Sequence, residues 1–394
     1  MNPTPARLLA LLCPVAAASA QPAPDGFTVR DGFQVNVAIP ALNGARFMEL
    51  DDKGTLYVSR PQGDITAFKS KGDGTYEKLG VFISGKPSAH GMCFHDGWLW
   101  FSTSGAIFKA RDTNGDGVAD ETIEVTHDLP KGGGHWWRSI LVTDDAFYTS
   151  IGCSGNITDD TATERLKIWR FALDGSGKSL FASGLRNTEK LRLRPGTSEI
   201  WGLDHGSDDF GQPIGDKPGS DQPITDLNPP DEFNRYVQDG FYGHPFITGN
   251  RVPRYEYLDR KDIHDLAART IPPEWAVGAH WATNGFCFID PAVNGKTGGL
   301  PADCGGDAFI CCHGSWNSSK PVGYCVARIR IDHDPKLGGH PVGLEKIVST
   351  LDPAGQVKAR PVDCVQAPDG SILFSADVPG RVYRITWSTP APKP

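Results

Sequence analysis

Residues 131–140 read KGGGHWWRSI and place one histidine between three glycines and two tryptophans. Glycine lets a backbone bend sharply or approach a ligand closely, so this loop is suited to contact a bound molecule. A neutral imidazole at such a position can act as a general base near physiological pH. We therefore identify His135 as the candidate catalytic base, with Trp136 and Trp137 as a wall for a substrate to stack on. A surface histidine beside an aromatic cluster is the alternative interpretation.

A second set of polar residues recurs beside predicted strands, at the places where loops enter or leave them. The strings that carry it are SGLRNTEK, LDHGSDDFG, PPDEFNRY, CCHGSWNSSKPVGY and VKARPVDC. Each string alone is typical of a solvated loop, but their common position indicates that they meet. The residues concerned are Arg186, Asn187, Asp208, Asp231, His313, Trp316, Lys358 and Arg360.

The segment RDTNGDGVADE, residues 111–121, has the spacing of the first part of a calcium-binding loop. Oxygen-bearing residues alternate around a tight turn that Gly117 permits. The glutamate expected at the last position of such a loop is replaced by Ile123. An Asp/Gly-rich turn that binds nothing is therefore the alternative. The predicted ligands of this structural calcium are Asp112, Asn114, Asp116, Val118 and Asp120.

Short strands must position all of these residues, because the chain contains 46 Gly and 31 Pro and few long helical periodicities. Six units repeat an apolar strand, a turn, an alternating strand, a second turn and a closing strand. Such a repeat predicts an all-β, six-bladed β-propeller, in which loops from distant units surround one channel. A two-domain sandwich is the alternative. The units cover residues 45–68, 90–111, 137–175, 191–236, 283–332 and 360–387.

The first twenty residues have the pattern of a secretory signal peptide. An apolar run from Leu8 to Ala17 precedes Ala18-Ser19-Ala20, a small-residue cleavage site. We predict cleavage after Ala20, a single propeller domain over residues 21–394, and a secreted or periplasmic protein. No later stretch approaches the length of a membrane-spanning helix.

Cysteine count and glycosylation motifs agree with export. Removal of Cys13 with the signal peptide leaves eight cysteines, with no CxxC pair among them. An even count in an exported protein favours structural disulfides over metal or redox sites. Asn156 and Asn317 head glycosylation motifs that a eukaryotic host would use. The net charge of −8 and the absence of a basic run argue against nucleic acid or an anionic membrane as partner.

Taken in order, six short motifs give the chain a family resemblance. It resembles the PQQ-dependent soluble aldose dehydrogenases of the glucose/sorbosone dehydrogenase family, especially sorbosone-dehydrogenase-like members and fungal pyranose dehydrogenases. The resemblance covers nearly the whole mature chain. It implies a six-bladed propeller that holds pyrroloquinoline quinone (PQQ), chelated by Ca²⁺, over its channel. The motifs are GLRN at 184–187, DHG at 204–206, PPDEFN at 229–234, YGHP at 242–245, HGSWN at 313–317 and RPV at 360–362.

The same resemblance implies roles for individual residues. His135 is the catalytic base and Arg186 the group that stabilises developing negative charge. Gly206 and Ser207, with Asp208 beside them, hold the calcium of the cofactor. The implied contacts to the cofactor itself are Arg186, Asn187, His313, Trp316, Lys320, Lys358 and Arg360.

The implied reaction is oxidation of the anomeric carbon of an aldose, pyranose or keto-aldose to a lactone or acid. Electrons then pass to an external acceptor such as a cytochrome or quinone. Departures from the family pattern, chiefly Thr188-Glu189-Lys190 after GLRN and an insertion from Phe210 to Leu227, affect the shape of the pocket. A calcium-dependent propeller lactonase and a non-catalytic exported propeller that binds a sugar or a protein are the alternative functions.

Overall fold

The computed structural model describes residues 23–210, 223–296, 298–334 and 336–388. The predicted signal peptide and much of the insertion after Phe210 lie outside these residues. Among the described residues no helix has the length and apolar character that a membrane-spanning helix requires. The two short α-helices are α1 (Pro223–Leu227) and α2 (Ile263–Arg269).

Six antiparallel sheets form the blades of a propeller, which confirms the predicted fold and excludes the two-domain sandwich. The chain begins with β1 (Thr28–Val29) and β2 (Phe33–Ile39), which join the last two blades. Blade 1 contains β3 (Met48–Leu50), β4 (Leu56–Arg60), β5 (Asp64–Ser70) and β6 (Tyr76–Ile83). Blade 2 contains β7 (Met92–His95), β8 (Trp98–Ser102), β9 (Ile107–Arg111) and β10 (Glu121–Thr126). Blade 3 contains β11 (Leu141–Val142), β12 (Phe147–Ile151), β13 (Lys167–Phe171) and β14 (Ser179–Ser183).

The remaining blades carry the longer insertions. Blade 4 contains β15 (Thr188–Leu193), β16 (Ile200–Asp204), β17 (Pro230–Tyr236) and, after an excursion, β21 (Trp275–Ala279). That excursion holds β18 (Gly240–Phe241), which pairs in parallel with β14, and the hairpin of β19 (Ile247–Thr248) and β20 (Val252–Pro253). Blade 5 contains β22 (Thr283–Phe288), β23 (Ala308–Cys312), β24 (Cys325–Ile331) and β25 (Pro341–Ser349). Blade 6 contains β26 (Pro361–Gln366), β27 (Ile372–Ala376) and β28 (Arg381–Trp387).

Both ends of the chain close the ring. β2 pairs with β28 and completes blade 6, while β1 pairs with β25 on the outer edge of blade 5. The first strands of the blades contact one another in the cyclic order β3, β7, β11, β15, β22, β26 and back to β3. These strands therefore surround the central channel.

Buried apolar side chains fill the space between neighbouring blades, as the alternation along the strands predicts. Trp201 and Phe233 of blade 4, for example, pack with Phe286 of blade 5. All eight cysteines in the described residues are buried free thiols, so the predicted disulfides are not formed in this structure.

One face of the propeller collects polar residues at equivalent positions. Arg46, His90, Ser139 and Arg186 each lie two residues before the first strand of their blade. Because these strands start at the same end of the channel, the preceding residues converge there. The positions where loops enter the blades thus build the candidate site, as the sequence indicates.

Candidate active site

A cavity of about 310 Å³ opens at this end of the channel. Four blades and the loop before β11 contribute to its wall, and polar side chains dominate it. Its lining residues are Arg46, His135, Arg186, Asn187, Glu189, His205, Gly206, Asp208, Asp231, His280, Ala282, Asn284, His313, Gly314, Trp316, Asn317 and Arg360.

His135 lies in the cavity wall, where the sequence places the base. Its Nδ1 is 3.0 Å from the carbonyl oxygen of Cys153, so Nδ1–H donates there and Nε2 keeps its lone pair. Burial, together with the charge of Arg186, lowers the pKa of His135 to about 3. Because the ring is neutral at physiological pH, Nε2 can accept a proton.

Arg186 is buried and held by a loop that precedes it in the chain. Its Nε donates to the carbonyl oxygen of Asn156 at 2.9 Å, and one terminal nitrogen donates to the Oδ1 of Asn156 at 2.8 Å. The other terminal nitrogen donates to the carbonyl oxygen of Gly206 at 2.8 Å. The backbone of this turn is fixed as well, since the amides of Arg186 and Asn187 donate to the carboxylate of Asp204. The guanidinium is therefore preorganised beside the base.

The floor of the cavity contains a chain of hydrogen bonds around Asn187. Its side-chain amide donates to the Oε1 of Glu189 at 3.1 Å and to the Nδ1 of His205 at 3.0 Å. The opposite nitrogen of His205 is 3.0 Å from the carbonyl oxygen of Thr283, which makes Nε2 the protonated atom of that ring. Glu189, one of the departures from the family pattern, thus places a carboxylate in the floor.

Two further guanidinium groups face the cavity from blades 1 and 6. Arg46 lies 3.0 Å from Asp377 and 3.4 Å from Glu189, and its Nε is buried without a hydrogen-bond partner among the described residues. Arg360 donates to the carbonyl oxygens of His313 and Gly314 and forms no ion pair with a carboxylate among the described residues, although its charge helps to lower the pKa of Asp377. His313 contacts Asp377 at 3.0 Å, yet burial lowers its pKa.

The oxygen atoms proposed for the cofactor's calcium are only partly exposed to the cavity. Gly206 and Asp208 line it, and the carboxylate of Asp208 is 3.5 Å from Arg186. Ser207, whose main-chain carbonyl is the predicted ligand, does not line the cavity. Its hydroxyl donates to the carbonyl oxygen of Asp209 and accepts from Arg254. The described residues contain no group of three or more His, Cys, Asp or Glu side chains arranged to hold a metal. A cation here would therefore rely on carbonyl oxygens and on atoms of a bound ligand.

Two of the predicted cations do not line the cavity. Lys358 does not line the cavity, because its ammonium pairs with Asp352 at 3.0 Å. Lys320 is exposed on the loop after β23 and does not line the cavity either. The cation that the sequence interpretation missed is Arg46. Its signal is positional, since Arg46 precedes β3 by the same two residues that separate Arg186 from β15.

Several other lining residues have no role implied by the family resemblance. Asn317 ends the HGSWN motif, and His205 lies in DHG. Asn284 lies at the start of β22, and His280 and Ala282 lie just before that strand. Their common feature is that they follow or precede a strand of blade 4 or 5 at the cavity face.

The two tryptophans after His135 take different positions. Trp137 stacks on His90 with ring centroids 4.4 Å apart, and the guanidinium of Arg46 lies 5.3 Å from its ring. Trp136 lines a separate surface hollow and is 43% exposed. Neither ring lines the main cavity, so the predicted wall for a substrate is not formed there. Trp316 does line it, at the rim, and is 74% exposed.

The predicted calcium loop connects β9 and β10 at the outside of blade 2. Its carboxylates accept hydrogen bonds from within the loop: Asp112 from the amides of Asn114, Gly115 and Gly117, and Asp116 from that of Val118. Asp120 accepts from the amide and hydroxyl of Thr113. The loop is therefore closed by its own hydrogen bonds, and calcium binding at Asp112, Asn114, Asp116, Val118 and Asp120 stays a prediction.

Both predicted glycosylation sites belong to the cavity region. Asn156 holds Arg186 through its side-chain oxygen, which also accepts the amide of Asp208. The side-chain nitrogen of Asn317, the atom that a glycan would modify, donates to the carbonyl oxygen of Asp208. Asn317 also lines the cavity, so a glycan there would be attached at the cavity wall. Glycosylation of Asn156 and Asn317 stays a prediction.

Chemically, the cavity combines a neutral proton acceptor with three guanidinium groups. Such an arrangement can take a proton from a hydroxyl group and stabilise negative charge that develops nearby. It can also bind a ligand that carries several carboxylates.

The chain matches known proteins over most of its length. A family model described as TrAA12-like matches residues 27–388. A protein of Borreliella burgdorferi described as uncharacterized is 27% identical over 262 residues. That match covers 65% of this chain and 62% of the relative, which is less than two thirds of the relative's length.

Solved structures share the fold. The calcium structure of a Carbohydrate-Active Enzymes Family AA12 protein from Trichoderma reesei superposes with a TM-score of 0.77 at 16% identity, over 94% of this chain and 99% of that one. The holo form of the pyranose dehydrogenase PQQ domain from Coprinopsis cinerea gives 0.75 at 19% identity, over 93% and 98%. The soluble aldose sugar dehydrogenase of Escherichia coli in the apo form gives 0.63 at 16% identity, over 90% and 100%. At these identities the likeness establishes the common fold.

Proposed function

The chain belongs to the TrAA12-like family, and from this premise we propose that it is a sugar dehydrogenase dependent on PQQ and Ca²⁺. The reaction is oxidation of the anomeric carbon of an aldose, pyranose or keto-aldose to a lactone or acid. One observation carries the proposal: Arg46, Arg186 and Arg360 converge on the cavity that contains the neutral imidazole of His135. The pyranose dehydrogenase domain from C. cinerea, which shares the fold, is described as a PQQ domain.

The donor set fits the cofactor. PQQ is a tricarboxylate, and carboxylates pair best with guanidinium groups that are already fixed in place. Arg360 has no carboxylate partner of its own in the cavity, and the buried Nε of Arg46 has no partner among the described residues. These two arginines are therefore the residues that would hold cofactor carboxylates, with Asn187 and His313 beside them.

The residues that could bind calcium offer it oxygen ligands, which this ion prefers. Gly206 and Asp208 are the lining residues that offer a carbonyl and a carboxylate next to Arg186. With too few protein side chains to hold the ion alone, calcium would bind together with the cofactor. PQQ, when bound, supplies the two-electron acceptor that a sugar dehydrogenase needs.

The residues of the chain itself account for the proton chemistry. His135 presents the lone pair of Nε2 to the cavity and takes the proton of the anomeric hydroxyl. The hydrogen bond from Nδ1–H to Cys153 holds the ring in the tautomer that this step needs. Arg186, held by Asn156, stabilises negative charge opposite the base.

The location of the enzyme outside the cytoplasm is inferred from the sequence and is part of the proposal. The N-terminal signal pattern supports a secreted or periplasmic enzyme. A cytochrome or quinone outside the chain is then the acceptor of the electrons. A calcium-dependent lactonase shares the fold but does not call for three guanidinium groups around one cavity, and a non-catalytic propeller does not call for a fixed neutral base.

A reconstitution assay tests the proposal. The purified chain is loaded with PQQ and Ca²⁺ and supplied with an electron-accepting dye and a panel of aldoses, with sorbosone as an aldehyde substrate. Sugar-dependent dye reduction that requires both PQQ and Ca²⁺ supports the dehydrogenase. Hydrolysis of the corresponding lactones without dye reduction would instead support the lactonase.

A further inference from the structure

A second hollow lies beside the candidate active site, between the loops of blades 2 and 3. Its volume is about 550 Å³. Phe108 and Trp136 give it apolar surface, and Ser104, Lys131, Glu124 and His127 contribute polar groups. None of these residues takes part in the chemistry proposed above.

The hollow presents an indole ring to solvent. Trp136 is 43% exposed although it is a large aromatic side chain, and its neighbour Trp137 packs against its inner side at 5.9 Å between ring centroids. A fixed, exposed aromatic ring beside hydroxyl and amine groups suits a pyranose ring, whose C–H face is apolar and whose edge carries hydroxyls.

The polar edge of the hollow is available for hydroxyl groups. The side chain of Lys131 lies over Gly105, and its ammonium has no partner among the described residues. Glu124 is 3.4 Å from the imidazole of His127, so the acidic charge is next to a hydrogen-bonding ring. These groups favour a neutral saccharide over a strongly charged one, since positive and negative groups are both present.

The loop that separates the main cavity from the hollow contains three consecutive glycines. His135 faces the main cavity and Trp136 the hollow, although their Cα atoms are only about 3.8 Å apart. The preceding Gly132–Gly134 carry no side chains, and a side chain at Gly132 would meet open space. Gly132 and Gly133 also have positive φ values of 66° and 81°, which few other residues adopt. Gly133 and Gly134 pack against Arg165 and Ser154, to which an added Cβ would approach within 3.1 Å. All three glycines are exposed, so they form a ridge without side chains of its own that a linear ligand could cross.

We propose that the hollow around Trp136 is a second saccharide subsite, and that the substrate is a neutral oligosaccharide. This rests on the proposed function. Its reducing-end ring lies in the main cavity, where the anomeric carbon is oxidised, and the ring beyond crosses the glycine ridge and stacks on Trp136.

Calorimetric titration of the cofactor-free protein tests the subsite without relying on activity. The probes are cellohexaose, maltohexaose, xylohexaose and mannohexaose, each compared with its monosaccharide. At least one hexasaccharide should bind more tightly than its monosaccharide, and Trp136→Ala should weaken that binding about tenfold, as truncation of an aromatic contact at a binding site does. Trp136→Phe should restore most of it.

Tyr255→Ala is the matched control, because Tyr255 is an aromatic residue of similar exposure, 45%, outside both cavities. It should leave the affinity unchanged. Equal affinity for hexasaccharide and monosaccharide, or a Trp136→Ala variant that binds the hexasaccharide as tightly as the parent, would overturn the subsite.

Kinetics of the reconstituted enzyme separate this proposal from the previous one. The ratio of KM for the monosaccharide to KM for the hexasaccharide should exceed unity and fall in Trp136→Ala. Oxidation of monosaccharides with no preference for longer chains would overturn the subsite and leave the dehydrogenase standing. Tighter binding of a hexasaccharide that depends on Trp136, without any oxidation of sugars, would leave the saccharide subsite standing and overturn the dehydrogenase.

Discussion

Burial lowers the pKa of both His135 and Arg186, but it leaves the two groups in different charge states. It keeps the imidazole of His135 neutral, because a positive ring next to Arg186 in a desolvated wall is unfavourable. Arg186 stays charged, because its pKa is lowered from an ordinary value of 12.5 and the carboxylates of Asp208 and Asp204 oppose the effect of burial. One cavity can therefore hold a base and fixed positive charges side by side.

Replacement of the base should affect turnover far more than cofactor binding. His135→Gln keeps a hydrogen-bonding side chain of similar size but removes the proton acceptor, so kcat of the reconstituted enzyme should fall on the order of 10²- to 10⁴-fold. Stopped-flow dye reduction measures the rate, and PQQ titration of the same variant checks that the cofactor still binds. A variant that keeps most of its rate would show that another group takes the proton.

Arg360 and Lys358 form a matched pair two residues apart, of which only Arg360 faces the cavity. Arg360→Gln should weaken PQQ binding about 10- to 100-fold, since a charge-assisted hydrogen bond contributes about 1.5–3 kcal/mol. Lys358→Gln should change it little, because that ammonium pairs with Asp352. Equilibrium titration of both variants with PQQ provides the measurement. A larger loss of PQQ affinity in Lys358→Gln than in Arg360→Gln would identify Lys358 as the cofactor ligand.

The site residues that were predicted from the sequence lie in recognisable motifs, whereas the one that was missed is placed only by the fold. His135, Arg186, Asn187 and Arg360 lie within motif strings, so their convergence was predictable. Arg46 lies in no such string and is placed only by the geometry of the blade repeat. Lys358 also lies in a motif string, but its ammonium pairs with Asp352 and does not line the cavity, because its position depends on a loop that the pattern does not describe.

Among the strands, too, local repeats could be predicted from the sequence, whereas contacts between distant segments could not. Each of the six predicted units lies within a different blade, but none includes the outermost strand of its blade. The pairing of β2 with β28 was not predicted, because contacts between the two ends of a chain leave no local pattern.

The closing strand should be important for stability. Phe33 at the start of β2 is buried and packs edge-on against Trp387 of β28, with ring centroids 4.9 Å apart. Phe33→Ala should lower the free energy of unfolding by about 3 kcal/mol, as truncation of a buried aromatic residue does. The neighbouring Gln34 is exposed on the same strand, and Gln34→Ala should change it by no more than about 0.5 kcal/mol.

Chemical denaturation of the two variants provides the measurement. Similar losses in both would show that β2 contributes through its backbone pairing alone. No loss in Phe33→Ala would show that closure of blade 6 does not depend on this contact.

For the molecule as a whole, buried ion pairs connect the first strands of different blades. Lys190 pairs with Asp363 at 2.7 Å and Arg192 with Glu49 at 2.7 Å, all on the first strands of their blades. Buried pairs of this kind favour one arrangement of the blades, because separating either partner would leave an uncompensated charge. The lining of the main cavity is balanced in the same way, with Arg46, Arg186 and Arg360 against Glu189, Asp208 and Asp231.

Glu232 on β17 is a buried carboxyl group without a cationic partner among the described residues, and it should make stability depend on pH. Burial and the nearby carboxylate of Asp204 raise the pKa of Glu232 to about 8, against an ordinary value of 4.5. Between these two values the folded protein keeps a proton that the unfolded chain releases. The free energy of unfolding should therefore fall as pH rises from about 4.5 to about 8 and level off above.

Glu232→Gln should remove this contribution. The amide oxygen can still accept the amide of Gly249, as the carboxylate does at 2.8 Å. Its nitrogen can donate to the Oδ1 of Asn234 after that side chain turns, an atom that is buried and without a partner among the described residues. Thermal melts from pH 5 to pH 9 should show a smaller decline in the variant than in the parent. Parallel curves would mean that Glu232 is ionised in the folded state.

The most direct test of the account is a titration of the metal-stripped protein with PQQ, with and without Ca²⁺, followed by cofactor absorbance. The account predicts binding of about one equivalent that depends on calcium, since one cavity holds both groups together. Absence of binding at every calcium concentration would contradict the cofactor assignment and make the lactonase the leading interpretation of this propeller.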